Sequence, residues 1–355
     1  MRNKVVFALV SLALFSGVST GFELQRGKIK LNVGDKNGRM TVIYTDDIAN
    51  PVPVALYSSD DPATSKIKIQ LGDKVSVLGE DSTYVPVAET TAVGGKIVWT
   101  GKTLKVTQTF EFLTSAASSV ADGVKETLSL TNLSDTQTLR PAVRVGIDTN
   151  LGEKKDHFKL SGGETVNSES KLEGNLPDWW VSPSSTDEKI GLLMMLGKGA
   201  TTPSRLVFAN WKRLDDASWE MAFRQGRDFN QLPYSYNDSA VAQYYDAQDL
   251  APGASRDIVL MFGNRSAITF AGAKVGTANV LSDLLQESRT QEGGGASLVK
   301  QDLQSLENLM TQINAKLVDA TKVTDEDLKL FKAILEQLES HKSSLTTPAA
   351  AAVQP

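Results

Sequence analysis

The chain contains no cysteine and only two histidines, His157 and His341, in 355 residues. The absence of thiols excludes disulfides, cysteine metal sites, thiol catalysis and lipid attachment through an N-terminal cysteine. A Ser-His-Asp hydrolase would depend on His157, yet no G-x-S-x-G motif accompanies it, so we expect this histidine to form a local hydrogen bond. The glycine-rich stretches also lack the GxxxxGK[ST] and GxGxxG spacings that bind phosphate. Nucleotide and thiol chemistry are therefore disfavoured, and no cofactor is predicted.

The N-terminus has the pattern of a secretory signal. Arg2 and Lys4 precede an apolar run over residues 5–15, and small residues follow as far as Gly21. This pattern predicts a cleaved signal peptide over residues 1–21, and hence a periplasmic or secreted protein. A retained N-terminal anchor is the alternative. No later run approaches the roughly 20 apolar residues of a membrane helix, so no membrane span is expected after cleavage. The formal net charge of −5 disfavours nucleic acid as a partner.

Between residues 22 and 270, short runs alternate apolar with polar residues and are separated by turn signals such as Asn37-Gly38. Strands are predicted over residues 28–33, 39–44, 66–70, 74–78, 96–99, 103–113, 125–131, 139–148, 189–196, 205–211, 241–246 and 256–263. Many short strands without intervening helices predict antiparallel sheets packed face to face. The expected fold is mainly β, a large antiparallel β-sandwich over residues 22–270, and one extended sandwich is favoured over two smaller ones.

After the predicted sandwich, the hydrophobic period changes from that of a strand to that of a helix. Residues 271–295 are predicted to form a short helix and a glycine linker, and residues 346–355 a disordered tail. Residues 296–345 contain two heptad-spaced stretches, which predict an antiparallel helical hairpin. The predicted partner-binding seam consists of Val299, Leu303, Leu306, Met310, Ile313, Leu328, Phe331, Leu335 and Leu338.

Two helices bury only one seam between them, so this hairpin would keep apolar surface that it cannot cover alone. That surface either packs back onto the sandwich or docks onto an envelope protein or a second copy of the chain. The sequence leaves both outcomes open.

Aromatic residues are concentrated in residues 179–245, which contain four of the five tryptophans. Flat rings stack on sugar faces, so this region is a candidate glycan surface, with core packing as the alternative. The predicted ligand-binding residues are Trp179, Trp180, Trp211, Trp219, Tyr244, Asp178 and Asp216. The two carboxylates are included because glycoside hydrolysis requires a pair of them.

A second, weaker cluster lies at the end of a predicted strand, where Asp148, Asn150 and Asp156 could place oxygen atoms around a cation. Calcium requires six to eight oxygen ligands, and this loop supplies too few. Lys154 and Lys155 also interrupt it. An ordinary turn is therefore favoured over a metal site.

Several segments resemble one group of proteins. They are residues 144–152 followed by Asp156-His157-Phe158, Pro203-Ser204-Arg205 leading to Trp211, residues 238–241, and residues 250–263 beginning Leu-Ala-Pro-Gly. Together they resemble uncharacterised exported bacterial β-sandwich proteins, including spirochaete envelope proteins. The resemblance implies a supersandwich of the galactose-mutarotase-like type and no particular activity. Related sugar epimerases use two histidines with an acid, whereas this sandwich contains His157 alone.

These observations favour a periplasmic, non-enzymatic binding or scaffold protein whose helical hairpin docks onto an envelope assembly. The alternative is a carbohydrate-binding or carbohydrate-active β-sandwich protein that uses the aromatic region of residues 179–245.

Overall fold

The computed structural model describes residues 21–34, 37–47, 52–57, 64–91, 94–115, 118, 120–149, 151, 157–267, 270, 274–275 and 332. Residues 1–20 of the predicted signal peptide, the predicted tail and all nine predicted seam residues lie outside the described residues. Of the predicted hairpin, only Lys332 is described.

The described residues form twenty strands and one short α-helix. The first ten strands are β1 Phe22–Arg26, β2 Ile29–Val33, β3 Met40–Thr45, β4 Pro53–Ala55, β5 Lys66–Leu71, β6 Lys74–Val77, β7 Val85–Thr91, β8 Gly94–Thr100, β9 Leu104–Thr114 and β10 Gly123–Asn132. The remaining elements are β11 Pro141–Thr149, β12 Phe158–Leu160, β13 Thr165–Val166, β14 Ser170–Glu173, β15 Trp179–Pro183, β16 Gly191–Met195, β17 Arg205–Asn210, helix α1 Trp211–Asp216, β18 Ser239–Tyr245, β19 Ser255–Asn264 and β20 Lys274–Val275.

The strands form three antiparallel sheets. A four-stranded sheet has the order β1-β2-β3-β4, and a six-stranded sheet has the order β14-β17-β18-β11-β5-β6. The ten-stranded sheet has the order β13-β12-β15-β16-β19-β10-β9-β8-β7, and β20 also pairs with β9. The strands β13 and β7 therefore stand at the two ends of this strand order.

One hydrophobic core is shared by the three sheets. Leu31 belongs to the four-stranded sheet, Leu128 to the ten-stranded sheet and Ile147 to the six-stranded sheet, and all three are at most 1% exposed. The rings of Phe158 and Phe208, from the two larger sheets, have centroids 4.9 Å apart. Burial of one face of each strand explains the alternating pattern of the sequence.

The prediction of a mainly β fold built from antiparallel sheets is confirmed, and each predicted strand overlaps a strand of the structure. The strand predicted over residues 205–211 ends one residue early, because Trp211 begins α1. The sequence reasoning missed β1, β4, β7, β12, β13, β14, β15 and β20. Most of these strands are too short to show a regular alternation of apolar and polar residues.

Within the described part of the chain, no helix has the length and apolar character needed to cross a bilayer.

Candidate functional site

The outer face of the six-stranded sheet is covered by residues 211–238, which connect β17 to β18 and are called the covering segment below. Small outward residues, including Ala209, Ala240 and Ala242, let the buried Leu214 of α1 pack close to the sheet. Asn210 ends β17 and caps α1, since its Oδ1 accepts a hydrogen bond from the Arg213 amide at 3.2 Å. The sequence thus turns from strand to helix at a residue suited to a helix start.

Two buried cations of the sheet hold the end of α1. Arg144 donates hydrogen bonds to the carbonyl oxygens of Leu214 at 2.6 Å, Trp219 at 2.7 Å and Ala217 at 3.3 Å. The Lys68 ammonium donates to the carbonyls of residues 215 and 217 at 2.9 and 2.8 Å. The last carbonyls of a helix lack partners within the helix and attract positive charge. Both cations therefore fasten the covering segment to the sheet.

The pKa shifts of Lys68 and Arg144 fit a structural role for both cations. Burial lowers the pKa of Lys68 to about 8, and the neighbouring positive charge of Arg144 acts in the same direction. Burial also lowers the pKa of Arg144. Each cation offsets its desolvation through hydrogen bonds to the backbone.

Three of the predicted ligand-binding aromatics belong to one apolar cluster, in which Trp211 and Trp219 of the covering segment pack against the sheet residues that include Tyr244. The Trp219 ring packs edge-on against Tyr244, with centroids 5.7 Å apart, and the Arg205 guanidinium lies 4.1 Å from the centre of the Tyr244 ring. The Trp211 Nε1 atom donates to the Thr64 carbonyl at 3.4 Å. Tyr244 is 1% exposed, so its ring faces are used in packing.

The remaining predicted ligand residues do not join this cluster. Trp180 lies in the core, 0% exposed, and packs edge-on against Phe158 and Phe208. Trp180 and Tyr244 have no accessible ring face in this structure on which a sugar could stack. Trp179 packs against the apolar outer face of the ten-stranded sheet. Asp216 is exposed and forms an ion pair with Lys212 four residues earlier.

The exposed aromatic residues of the region are different ones. Phe223 is 38% exposed, Tyr234 73% and Tyr236 77%, and all three lie in the covering segment. These rings are accessible to a ligand, whereas Trp180 and Tyr244 are buried and Trp179, Trp211 and Trp219 are half-buried.

Of the predicted metal ligands, the structure describes Asp148, which accepts a hydrogen bond from the Thr64 hydroxyl. Asn150 and Asp156 lie outside the described residues. Among the described residues, no group of three His, Asp or Glu side chains is placed to hold a metal ion. His157 Nδ1 lies 3.0 Å from the Ser239 hydroxyl, and its ring packs edge-on against Phe229. The partner of this histidine is therefore on β18, distant in the sequence.

A cleft of about 520 Å³ lies at the edge of the sandwich, where β12 and β13 of the ten-stranded sheet face β14 of the six-stranded sheet. This volume falls within the usual range for small-molecule sites. The edge cleft, as it is called below, is lined by Leu160, Ser161, Gly162, Glu164, Val166, Ser170, Lys171, Leu172, Asn175, Leu176, Pro177, Asp178 and Gln225.

Buried charge fixes one rim of the edge cleft. Glu169 is 0% exposed; its carboxylate forms an ion pair with Arg213 and accepts a hydrogen bond from the Arg224 amide at 2.9 Å. The Glu169 amide donates to the Arg227 carbonyl at 2.6 Å, and the Gly226 amide donates to the Glu169 carbonyl at 3.0 Å. These contacts hold the turn that carries Gln225 beside β14.

The opposite rim is fixed through Asp178, the one predicted ligand residue that lines the edge cleft. Its amide donates to the Ser161 hydroxyl at 2.9 Å, and its carboxylate accepts a hydrogen bond from Lys198 at 2.6 Å. The sequence reasoning missed the other lining residues. Gly162-Gly163 signals a turn, but only the pairing of the strands brings these separate segments together.

No family model and no curated protein matches this chain. A similar solved structure is a galactose mutarotase related enzyme from Lactobacillus acidophilus, with a TM-score of 0.42, 8% identity and coverage of 69% of this chain and 97% of that chain. Another is a polysaccharide lyase, with a TM-score of 0.38, 12% identity and coverage of 67% of this chain and 32% of that chain. The chain thus spans about a third of the lyase, and similarity at this level carries no inference about activity.

Proposed function

We propose that this chain is a non-enzymatic glycan-binding protein and that the edge cleft is its binding site. The observation that carries this proposal is the lining of the edge cleft, which combines hydroxyl, amide and carboxylate groups with apolar side chains. A sugar ring presents hydroxyl groups at its edge and C–H groups on its faces. Such a ligand would match both kinds of lining.

The charges of the edge cleft favour a neutral ligand. Lys171, the one cation among the described lining residues, is paired with Glu173 at 2.7 Å. Asp178 is likewise paired with Lys198 at 2.6 Å. Asn175 and Gln225 add amide groups that can both donate and accept hydrogen bonds. Phe223, two residues before Gln225 in the chain, supplies an accessible aromatic ring close in sequence to this rim.

The test is a screen of the full chain against an array of bacterial envelope glycans, followed by calorimetry on the glycans retained. We expect Asp178→Asn and Gln225→Ala each to weaken binding about tenfold, which corresponds to about 1.4 kcal/mol. Asp216→Asn is the matched control, since it removes a carboxylate of the covering segment that is paired with Lys212 and does not line the edge cleft. Equal losses in Asp178→Asn and Asp216→Asn, or no glycan retained at all, would refute the proposal.

We further propose that the chain is exported and that its C-terminal residues dock onto an envelope protein or a second copy. The heptad spacing of residues 296–345 supports the docking role.

Each part of this proposal has its own test. If the chain is exported, the mature protein is expected to begin at Phe22, which N-terminal sequencing checks. Leu303→Asp and Leu335→Asp are expected to abolish crosslinks to the partner in native cells. Gln304→Asp, which lies off the seam, is expected to preserve them; loss in all three variants would contradict seam docking.

A further inference from the structure

The core of the sandwich contains a carboxyl group that forms no ion pair with any cation of the described residues. Glu126 of β10 is 0% exposed, and its Oε1 atom accepts a hydrogen bond from Gln108 Nε2 at 2.7 Å. The Gln108 Oε1 atom in turn accepts from Trp99 Nε1 at 3.2 Å. The three side chains lie on the adjacent strands β8, β9 and β10 and form one line of hydrogen bonds.

The direction of this line is fixed by Trp99, because an indole N–H can only donate. The carbonyl oxygen of Gln108 must then face Trp99, so its NH₂ group faces Glu126. The Oε1 atom of Glu126 is consequently an acceptor, and the proton of the neutral acid lies on Oε2. A proton in that position requires an acceptor of its own.

A cavity of about 30 Å³ lies beside this carboxyl group. Its lining brings the three sheets together, with Met40 from the four-stranded sheet, Val145 from the six-stranded sheet and Glu126 from the ten-stranded sheet. Tyr57, which follows β4 and is 1% exposed, also lines it. Neither Glu126 Oε2 nor the Tyr57 hydroxyl has a hydrogen-bond partner among the described residues. The cavity is polar at these atoms and large enough for a water molecule.

We propose that water in this cavity joins the Glu126 carboxyl group to the Tyr57 hydroxyl, and that ionisation of Glu126 weakens the attachment of the four-stranded sheet to the sandwich. The cavity is the place where Tyr57 and the β2–β3 turn, including Arg39, meet the two larger sheets. A carboxylate formed here would have no ion-pair partner of its own among the described residues, because the cations that line the cavity, Arg39 and Lys66, already pair with Glu80 and Asp215. Opening the four-stranded sheet, which contributes Met40 to the lining, would admit water to that charge.

Among the groups that line this cavity, Glu126 has a pKa near neutrality; Lys68, whose pKa is about 8, lies on the outer face of β5 and does not line the cavity. Burial raises the pKa of Tyr57 and that of Tyr245, so both stay neutral. Arg39 and Lys66 line the outer part of the cavity, but each forms an ion pair with Glu80, and Lys66 also pairs with Asp215. Their charges are therefore balanced by carboxylates.

The sign of the pH effect follows from burial. Burial raises the pKa of Glu126 from 4.5 to about 7, and the hydrogen bond from Gln108 opposes this rise only in part. The folded protein then holds the proton more tightly than the unfolded chain does. The stability contributed by this proton is fully present below about pH 4.5 and is lost as the pH rises through about 7.

The test compares amide hydrogen exchange and urea unfolding of the full chain between pH 5 and pH 8. We expect the opening constant of residues 22–57 to rise by up to about tenfold per pH unit until about pH 7, after correction for intrinsic exchange. In Glu126→Gln this dependence is expected to disappear. Glu111→Gln is the matched control, because Glu111 lies on the outer face of β9, paired with Lys125. A wild-type slope that persists in Glu126→Gln would overturn the proposal.

A measurement on the unmutated protein covers the case in which Glu126→Gln does not fold. Carbon-13 spectra of the glutamate side chains, recorded over a range of pH, are expected to show one carboxyl group whose titration midpoint lies well above those of the others. A spectrum in which every glutamate titrates near its ordinary pKa would overturn the proposal.

A variant tests the water bridge itself. In Tyr57→Phe the titration midpoint of the Glu126 carboxyl group is expected to rise, because the water loses the hydroxyl that helps it stabilise the carboxylate. An unchanged midpoint would exclude the water bridge.

Discussion

Two glycines with left-handed backbone show how single residues position the sheets. Gly72, in the turn between β5 and β6, has φ +61°, and a Cβ atom placed on it would meet no atom within 4 Å. Gly79, which follows β6, has φ +85°, and its Cβ would lie 2.0 Å from the backbone oxygen of Asn37. Gly79 thus lets the turn between β2 and β3 lie directly against the six-stranded sheet.

The two glycines form a matched pair for mutation. Gly72→Ala is expected to cost about 1 kcal/mol of unfolding free energy, the ordinary penalty of a left-handed alanine. Gly79→Ala is expected to cost at least about 2 kcal/mol more, because a backbone oxygen blocks the new methyl group. Urea unfolding of both variants checks the difference. Equal losses would mean that the Asn37 turn moves aside freely.

The adjacent tryptophans illustrate what a residue-level interpretation of the sequence overlooks. Successive residues of a strand point to opposite faces, so Trp179 and Trp180 could not both face a ligand once β15 existed. β15 is only five residues long and its alternation is hidden by apolar residues on both faces, so it was not predicted. Of the two adjacent rings, Trp180 is therefore buried in the core, and Trp179 lies half-buried on the other face.

At the scale of elements, the covering segment depends on the sheet beneath it. α1 has six residues, too few to be stable alone, and it ends on the carbonyl groups that Arg144 and Lys68 bind. The outward cations of β5 and β11 therefore determine where this segment lies.

Arg144→Met is expected to lower the free energy of unfolding by about 3 kcal/mol, because it removes three hydrogen bonds from a buried cation. The Ala217 carbonyl keeps Lys68 as a donor and the Trp219 carbonyl keeps the Tyr244 hydroxyl. Arg140→Met serves as the control. The Arg140 side chain is 69% exposed and pairs with an equally exposed Asp249, so its loss is expected to cost at most about 1 kcal/mol. Thermal and urea unfolding measure both values. A loss for Arg144→Met as small as that of the control would show that the segment is held by apolar contacts.

The long strands were predictable and the short ones were not, for one physical reason. β9 and β10 bury one face over eleven and ten residues, which gives a clear alternation. β12, β13 and β14 have two to four residues each, so no period can be read from them. The edge cleft lies among these short strands, and most of its lining was for that reason invisible in the sequence.

At the scale of the whole molecule, one apolar core links regions far apart in the sequence. Trp99 of β8 and Trp180 of β15 belong to the same buried cluster, although their strands are separated by several others in the ten-stranded sheet. This arrangement favours unfolding as one unit at acidic pH, where Glu126 is neutral.

Urea unfolding at pH 5, followed by tryptophan fluorescence and by circular dichroism, is expected to give coincident transitions. Trp99→Phe and Trp180→Phe are expected to shift both signals together, because each removes volume from the same core. Separate midpoints for the two signals would show that parts of the sandwich unfold independently.

The two edge strands of the ten-stranded sheet determine how readily a strand of a neighbouring chain can pair with this sheet. At one end, β13 offers a partner strand only two residues. At the other end, β7 contains Pro86, which has no amide hydrogen to donate, and Glu89, a charged residue paired with Lys96. A strand of a neighbouring chain therefore finds a poor template at either end of this sheet, which disfavours polymerisation through the ten-stranded sheet.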